Sequence, residues 1–156
     1  MSKYHIECIT EEILLLNLGK TRDSILHHPG SGAVCRALDE GTNLFGLIDE
    51  DPERTFQHDY YDKLYPKPES DKYNIRFSVD KKKKNKLVFI KPRFEPWIIE
   101  VAQSSDLNMS DFNLSDNSDI LHREISFKRG DLQKLIHHLV RIKNPAIIHL
   151  KKLFNS

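Results

Sequence analysis

Three carboxylates set the chemistry this chain could do. Asp49 and Asp51 follow the hydrophobic run in FGLIDEDPER, residues 45 to 54, with Glu50 between them. Glu7 lies near the end of the first apolar stretch, YHIECI, residues 4 to 9. Side chains two apart on an extended chain point the same way, so the spacing predicts that Asp49 and Asp51 face one point and Glu50 turns away. Carboxylates gathered without a partner raise one another's pKa. A hard divalent cation removes that cost; Mg²⁺ takes oxygen ligands, typically one or two carboxylates with water and substrate phosphate. Such clusters support metal-assisted phosphoryl chemistry. The other reading is a solvated acidic turn before Pro52, with one acid capping a following helix. The Asp-x-Asp spacing alone leaves both open.

Other reactive residue types carry weaker signals. GSG, residues 30 to 32, opens a helical stretch and could bind an anion through free N–H groups, but there is no GxxxxGK[ST] phosphate loop. His27 and His28 precede it and read as a packed or solvated pair before they read as ligands. His137 and His138 flank a helical apolar stripe, Cys35 reads as core, and Trp97 as a core anchor. Lys81, Lys82, Lys83 and Lys84 form a run between two strands, which reads first as a solvated turn and second as a phosphate contact.

The elements that must position these residues follow from periodicity. YHIECI, SILHH and LFGLI read as strands. Helices starting near Thr10 and Ala33 alternate with them, stopped by Gly19 and Gly41. This alternation predicts βαβ units and a mainly parallel sheet of about four strands, with helices on both faces. LFGLI should be an inner strand, because a near-continuous apolar run suits burial on both faces. Residues 54 to 72 read as a surface helix or loop. YNIRFSV and LVFIK read as strands, and FEPWIIEVAQ as a helix with Pro96 in its first turn. Residues 104 to 119 read as a loop or short helical excursion. Leu132, Leu135, Ile136, Leu139 and Val140 form an amphipathic helix stripe, and Pro145 opens a last helix.

The 156 residues suit a single domain, with core motifs in residues 1–103 and a C-terminal helical part at 118–156. Net charge is +1, so no global basic field argues for nucleic acid, although local patches can. Cys8 and Cys35 give neither a disulfide framework nor a zinc knuckle. No apolar run approaches the roughly 20 residues of a membrane span, and the N-terminus lacks a signal-peptide core. The expectation is a cytoplasmic protein with no membrane contact.

The order of the motifs resembles the Toprim (topoisomerase–primase) domain, in the branch of overcoming-lysogeny-defect nucleases and related phage-defence proteins. Ile6, Glu7 and Cys8 match the strand-ending acid motif, with Glu11 and Glu12 as the further acids in the next helix. Gly30 to Gly32 match the small-residue turn, Asp49 and Asp51 the Asp-x-Asp motif, and Arg93, Phe94, Glu95, Pro96 and Trp97 the later helix-start segment. Two features depart from the pattern: Cys8 stands where the family has glycine, and these 156 residues are expected to hold no companion ATPase domain.

The resemblance implies a Mg²⁺- or Mn²⁺-dependent nuclease acting on DNA or RNA, as a phage-defence effector. In it Glu7 is a general acid/base or metal ligand, Asp49 and Asp51 hold the metal, and Glu11 and Glu95 complete a second metal position. Lys91 or Arg93 steadies phosphate charge, and Lys81 to Lys84 contact nucleic acid beside the site. A partner protein could supply regulation or an ATPase. The alternative is an inactive Toprim-like module that contacts a partner protein or nucleic acid. A phospho-receiver fits less well, since its acid pair follows the first strand and here the pair follows the third.

Overall fold

The computed structural model describes residues 3–54 and 57–155. The chain runs β1 (Tyr4–Ile6), α1 (Ile9–Asn17), β2 (Ile25–His27), α2 (Ser31–Asp39), β3 (Phe45–Asp49) and α3 (Asp59–Leu64). It continues through β4 (Pro68–Lys72), β5 (Ile75–Asp80), β6 (Asn85–Ile90) and α4 (Phe94–Ser104). The last helices are α5 (Ser118–Glu124), α6 (Arg129–Arg141) and α7 (Pro145–Phe154). Among the described residues the strands form one six-stranded sheet in the order β2-β1-β3-β6-β5-β4. β2, β1, β3 and β6 are parallel, while β5 and β4 are antiparallel additions. This is an α/β, Rossmann-like architecture with a mixed, mostly parallel sheet.

The sheet is buried on both faces because its central strands β3 and β6 carry apolar side chains on both of them. Phe45 and Leu47 of β3, with Val88 and Ile90 of β6, join the larger core beside α1, α4, α6 and α7. Ile48 of β3, with Leu87 and Phe89 of β6, joins the smaller core beside α2 and α3. Gly46 leaves room for that second layer: a Cβ there would lie 2.7 Å from Leu87 Cδ1 and 3.1 Å from Leu38 Cδ2. LFGLI is therefore the inner, doubly covered strand that its composition predicts.

The strand count and the start of the first helix differ from the sequence reading. The sheet has six strands rather than about four. β4, PESDK, is an edge strand with no apolar alternation to betray it. The first helix begins at Ile9 with Cys8 at the N-cap, not Thr10, whose hydroxyl donates to Glu11 Oε2 at 2.7 Å instead. α5 opens the C-terminal helical part expected at 118–156, in a stretch where no individual helix was assigned. Its N-cap is Asn117, whose carbonyl oxygen accepts from the N–H groups of Asp119 and Ile120, both at 3.1 Å. Gly19, by contrast, sits just past the end of α1 at φ +93°, as a helix stop requires.

The strand order reverses between β1 and β3, since β2 lies outside β1 on one side and β6 outside β3 on the other. Open α/β sheets form a ligand crevice beyond the carboxyl ends of the strands at such a switch point. β1 leads there to Glu7, and β3 to Asp49.

Candidate functional site

The crevice is a cavity of about 520 Å³. Glu7, Asp49, Asp51 and Glu95 line it with Arg54 and Arg93, and Ser118, Asp119 and His122 of α5 close one side. Four elements converge: the β1–α1 turn, the end of β3, the start of α4, and α5.

Asp49 is the centre of this group. Its Oδ1 is buried without a hydrogen-bond partner. Burial pushes its carboxyl pKa up to about 7; the charges of Glu95, Glu7 and Asp51 add to the rise, against a hydrogen bond from the Phe94 N–H. Glu11 lies deeper, at 1% exposure. Its Oε1 is likewise unpartnered, and burial and then the Asp49 charge push its pKa up to about 8. Without a counter-ion these groups hold protons near neutrality. The Cys8 thiol is pushed above its usual range by burial and by Glu11, Glu7, Asp49 and Glu95, so it is no ready thiolate.

The acid triplet divides as its spacing predicts, but not wholly by strand alternation. β3 ends at Asp49, and Asp51 adopts a left-handed conformation, φ 47°. Its N–H donates to Pro92 O at 2.8 Å and its carboxylate accepts from Arg54 Nη2 at 3.2 Å. Glu50 turns away: Tyr65 OH donates to its carboxylate, and Tyr61 OH to its carbonyl at 3.0 Å. A left-handed residue returns Asp51 to the cavity that a continuing strand was expected to reach.

Of the remaining predicted site residues, Glu95 and Arg93 line the cavity. Glu95 sits in the first turn of α4 with Oε2 3.5 Å from His122 Nδ1. Arg93 lies 3.6 Å from Glu53. Glu11 is sealed beneath the cavity rather than lining it, because its carboxylate folds back on Thr10. Lys91 does not reach the site; its ammonium donates to Asp71 Oδ1 at 2.9 Å. Lys81 to Lys84 form the turn between β5 and β6, at the opposite end of the sheet from the acids, and so do not flank them. Arg54, and the place of α5 at the cavity, are what sequence reasoning missed. The Asn117 cap followed by Asp119 was the available signal for α5. Nothing local marks Arg54.

A hard divalent cation fits the donor set in two respects. The donors are carboxylate oxygens, and two buried oxygens, Asp49 Oδ1 and Glu11 Oε1, have no partner. The set is open, however: among the described residues no three His, Cys, Asp or Glu side chains converge into a ready-made metal cage.

The fold and site define an α/β protein with an acidic crevice at a topological switch point. No family model, no curated protein and no solved structure matches this chain. Among the described residues no helix is long and apolar enough to cross a membrane.

Proposed function

We propose that the chain is a Toprim-like, divalent-metal-dependent phosphoryl-transfer enzyme, a nuclease acting on DNA or RNA. The observation that carries this reading is Asp49: a half-buried acid with a buried, orphan Oδ1 at the end of the central strand, ringed by Glu7, Asp51 and Glu95 at the switch point. In this reading Asp49 and Asp51, with Glu7 or Glu95, hold Mg²⁺ or Mn²⁺. The bound metal supplies charge neutralisation and a more acidic water. Glu7, half-buried in the β1–α1 turn and lining the cavity, exchanges a proton with the attacking or leaving oxygen. Arg54 and Arg93 replace Lys91 as the cations facing the phosphate. Glu11, sealed beneath the cavity, acts on this group through its charge alone.

A binding module without activity is the second reading. The open donor set and Cys8 at the family's glycine position favour it. Incubation of purified protein with plasmid DNA and with RNA, in Mg²⁺, Mn²⁺ or chelator, separates the two. The enzyme reading expects cleavage that needs metal and is lost in Asp49→Asn. Intact substrate under every condition, or cleavage that survives both chelator and Asp49→Asn, overturns it.

A further inference from the structure

At the opposite end of the sheet a second cavity, about 420 Å³, opens among the starts of β1, β3 and β6 and the β5–β6 turn. Every charged residue lining it is a lysine: Lys3, Lys81, Lys84 and Lys86. Asn43, Leu44, Phe45 and Val79 form the rest of its wall. We propose that this cleft docks the phosphodiester backbone of a nucleic-acid strand, as a site separate from the acidic crevice.

The cleft is built rather than incidental. Phe45 N–H donates to Lys3 O at 2.9 Å, Lys86 N–H to Leu44 O at 2.9 Å, and Asn43 N–H to Lys83 O at 3.0 Å, so the backbones that carry the lysines are pinned to one another. Beneath them Asp80 Oδ1 accepts from the N–H groups of Lys82 and Lys83 at 3.1 and 3.2 Å, which sets the turn. Lys84 completes it in a left-handed conformation, φ 59°. Nearby acids are already engaged: Asp39 by Lys83, and Asp80 by Tyr60 and Lys63. Lys81 has only a long contact, 4.0 Å, to Glu69, and both side chains are largely exposed. Among the described residues Lys3 and Lys84 enter no ion pair, which leaves their charge for a ligand.

The chemistry selects the partner. Four ammonium groups without an arginine form a set of compact point charges, suited to a row of phosphates rather than to bidentate capture of single carboxylates. None of the large exposed apolar side chains, Leu26, Tyr73, Ile120, Phe127 and Ile142, lines the cleft, so nothing there would insert into a lipid surface. β3, five residues and about 13 Å long, runs between the cleft and the acids. A strand held at one site reaches the other only by passing around the molecule. The cleft therefore sets affinity, while the crevice sets turnover. From the nuclease reading the proposal takes only its choice of polyanion.

The test is fluorescence anisotropy of labelled 30-nucleotide single-stranded DNA, RNA and duplex DNA in chelator, across a salt series. The variant Lys3→Ser/Lys81→Ser/Lys84→Ser changes only exposed residues. It should weaken single-strand binding at least tenfold and flatten the log–log salt slope by about 2, three phosphate contacts at about 0.7 each. The control Lys134→Ser/Lys151→Ser/Lys152→Ser removes equal charge from α6 and α7 and should change binding less than twofold. Absence of binding by the natural protein, an unchanged slope in the cleft variant, or an equal loss in the control overturns the proposal. So does capture of an acidic peptide or anionic vesicles in place of nucleic acid. Cleft-dependent binding without metal-dependent cleavage supports the cleft and overturns the nuclease reading; cleavage with unaltered binding in the cleft variant does the reverse.

Discussion

Asp49 concentrates the residue-scale physics. Its folded-state pKa of about 7, and that of Glu11 at about 8, lie above the ordinary 3.8 and 4.5. Between about pH 4 and pH 8 the folded state thus binds more protons than the unfolded chain, and stability falls as pH rises. The stabilising protons are fully present below pH 4 and lost through pH 7 to 8. Without divalent metal, the melting temperature measured by circular dichroism should drop by roughly 5–10 °C between pH 5.5 and 8.5, beyond any general trend. Asp49→Asn, nearly isosteric and uncharged, should flatten that drop; an equally steep profile in the variant would place the titration elsewhere. At pH 8 the natural protein should regain stability on adding Mg²⁺ or Mn²⁺, by about 2.7 kcal/mol at one hundred times the dissociation constant. Asp49→Asn and Asp51→Asn should lose that response. Glu50→Gln should keep it, because Glu50 is occupied by Tyr65 on the far side. If Glu50→Gln behaves like Asp49→Asn, the division of the acid triplet is wrong.

Gly46 and Asn144 carry the predictions that belong to whole elements. Gly46→Ala places a methyl group 2.7 Å from Leu87 and 3.1 Å from Leu38, both fully buried, so β3 and α2 must separate or repack. Overpacking of this kind costs about 1–3 kcal/mol, readable by urea denaturation; a cost near zero would show that the α2 layer is loose. Asn144 does two jobs. Its carbonyl oxygen caps α7, accepting from Ala146 N–H at 2.9 Å and Ile147 N–H at 3.3 Å. Its amide donates to Val101 O at 3.2 Å and to the Ser104 and Ser105 hydroxyls at 3.1 and 2.7 Å, tying α7 to the end of α4. Asn144→Ala should cost about 2–4 kcal/mol, more than a surface cap, since it also removes the amide donor that ties α7 to the end of α4. Asn144→Asp keeps the cap acceptor but loses those amide donors, and should fall between the natural protein and Asn144→Ala.

Across the whole molecule the parallel half and the antiparallel half of the sheet should differ in local stability. β3 and β6 are covered on both faces and flanked by neighbours, whereas β4 is a polar edge strand with a register shift between Pro68 and Ser70. Hydrogen exchange should be slowest in β3 and β6, near the global unfolding limit, and fastest in β4. Slow exchange in β4 would mean that another surface covers that edge. The two ends of the same sheet carry opposite charge, acids beyond the carboxyl ends and lysines before the amino ends. A net charge of +1 conceals that division.

Sequence by itself determined the parts governed by local periodicity and composition. LFGLI had to be an inner strand because every residue is apolar or glycine. Gly19 had to stop its helix, and the stripe from Leu132 to Leu139 had to face a core. The neighbourhood of Glu7 with Asp49 was also legible, since alternating strands and helices place strand ends on one edge of a parallel sheet. Only the tertiary structure decided the rest. PESDK becomes a strand because β5 offers it a hydrogen-bonding edge, not because of any propensity of its own. Lys91 is drawn off by Asp71, twenty residues away, and Arg54 and α5 are brought in to complete the crevice. Lys81 to Lys84 follow one strand and precede another, so their distance from the acids is set by strand direction, which residue types do not encode. Periodicity reports which face of an element meets the core; which elements meet each other depends on long-range pairing, and that is where the site was completed.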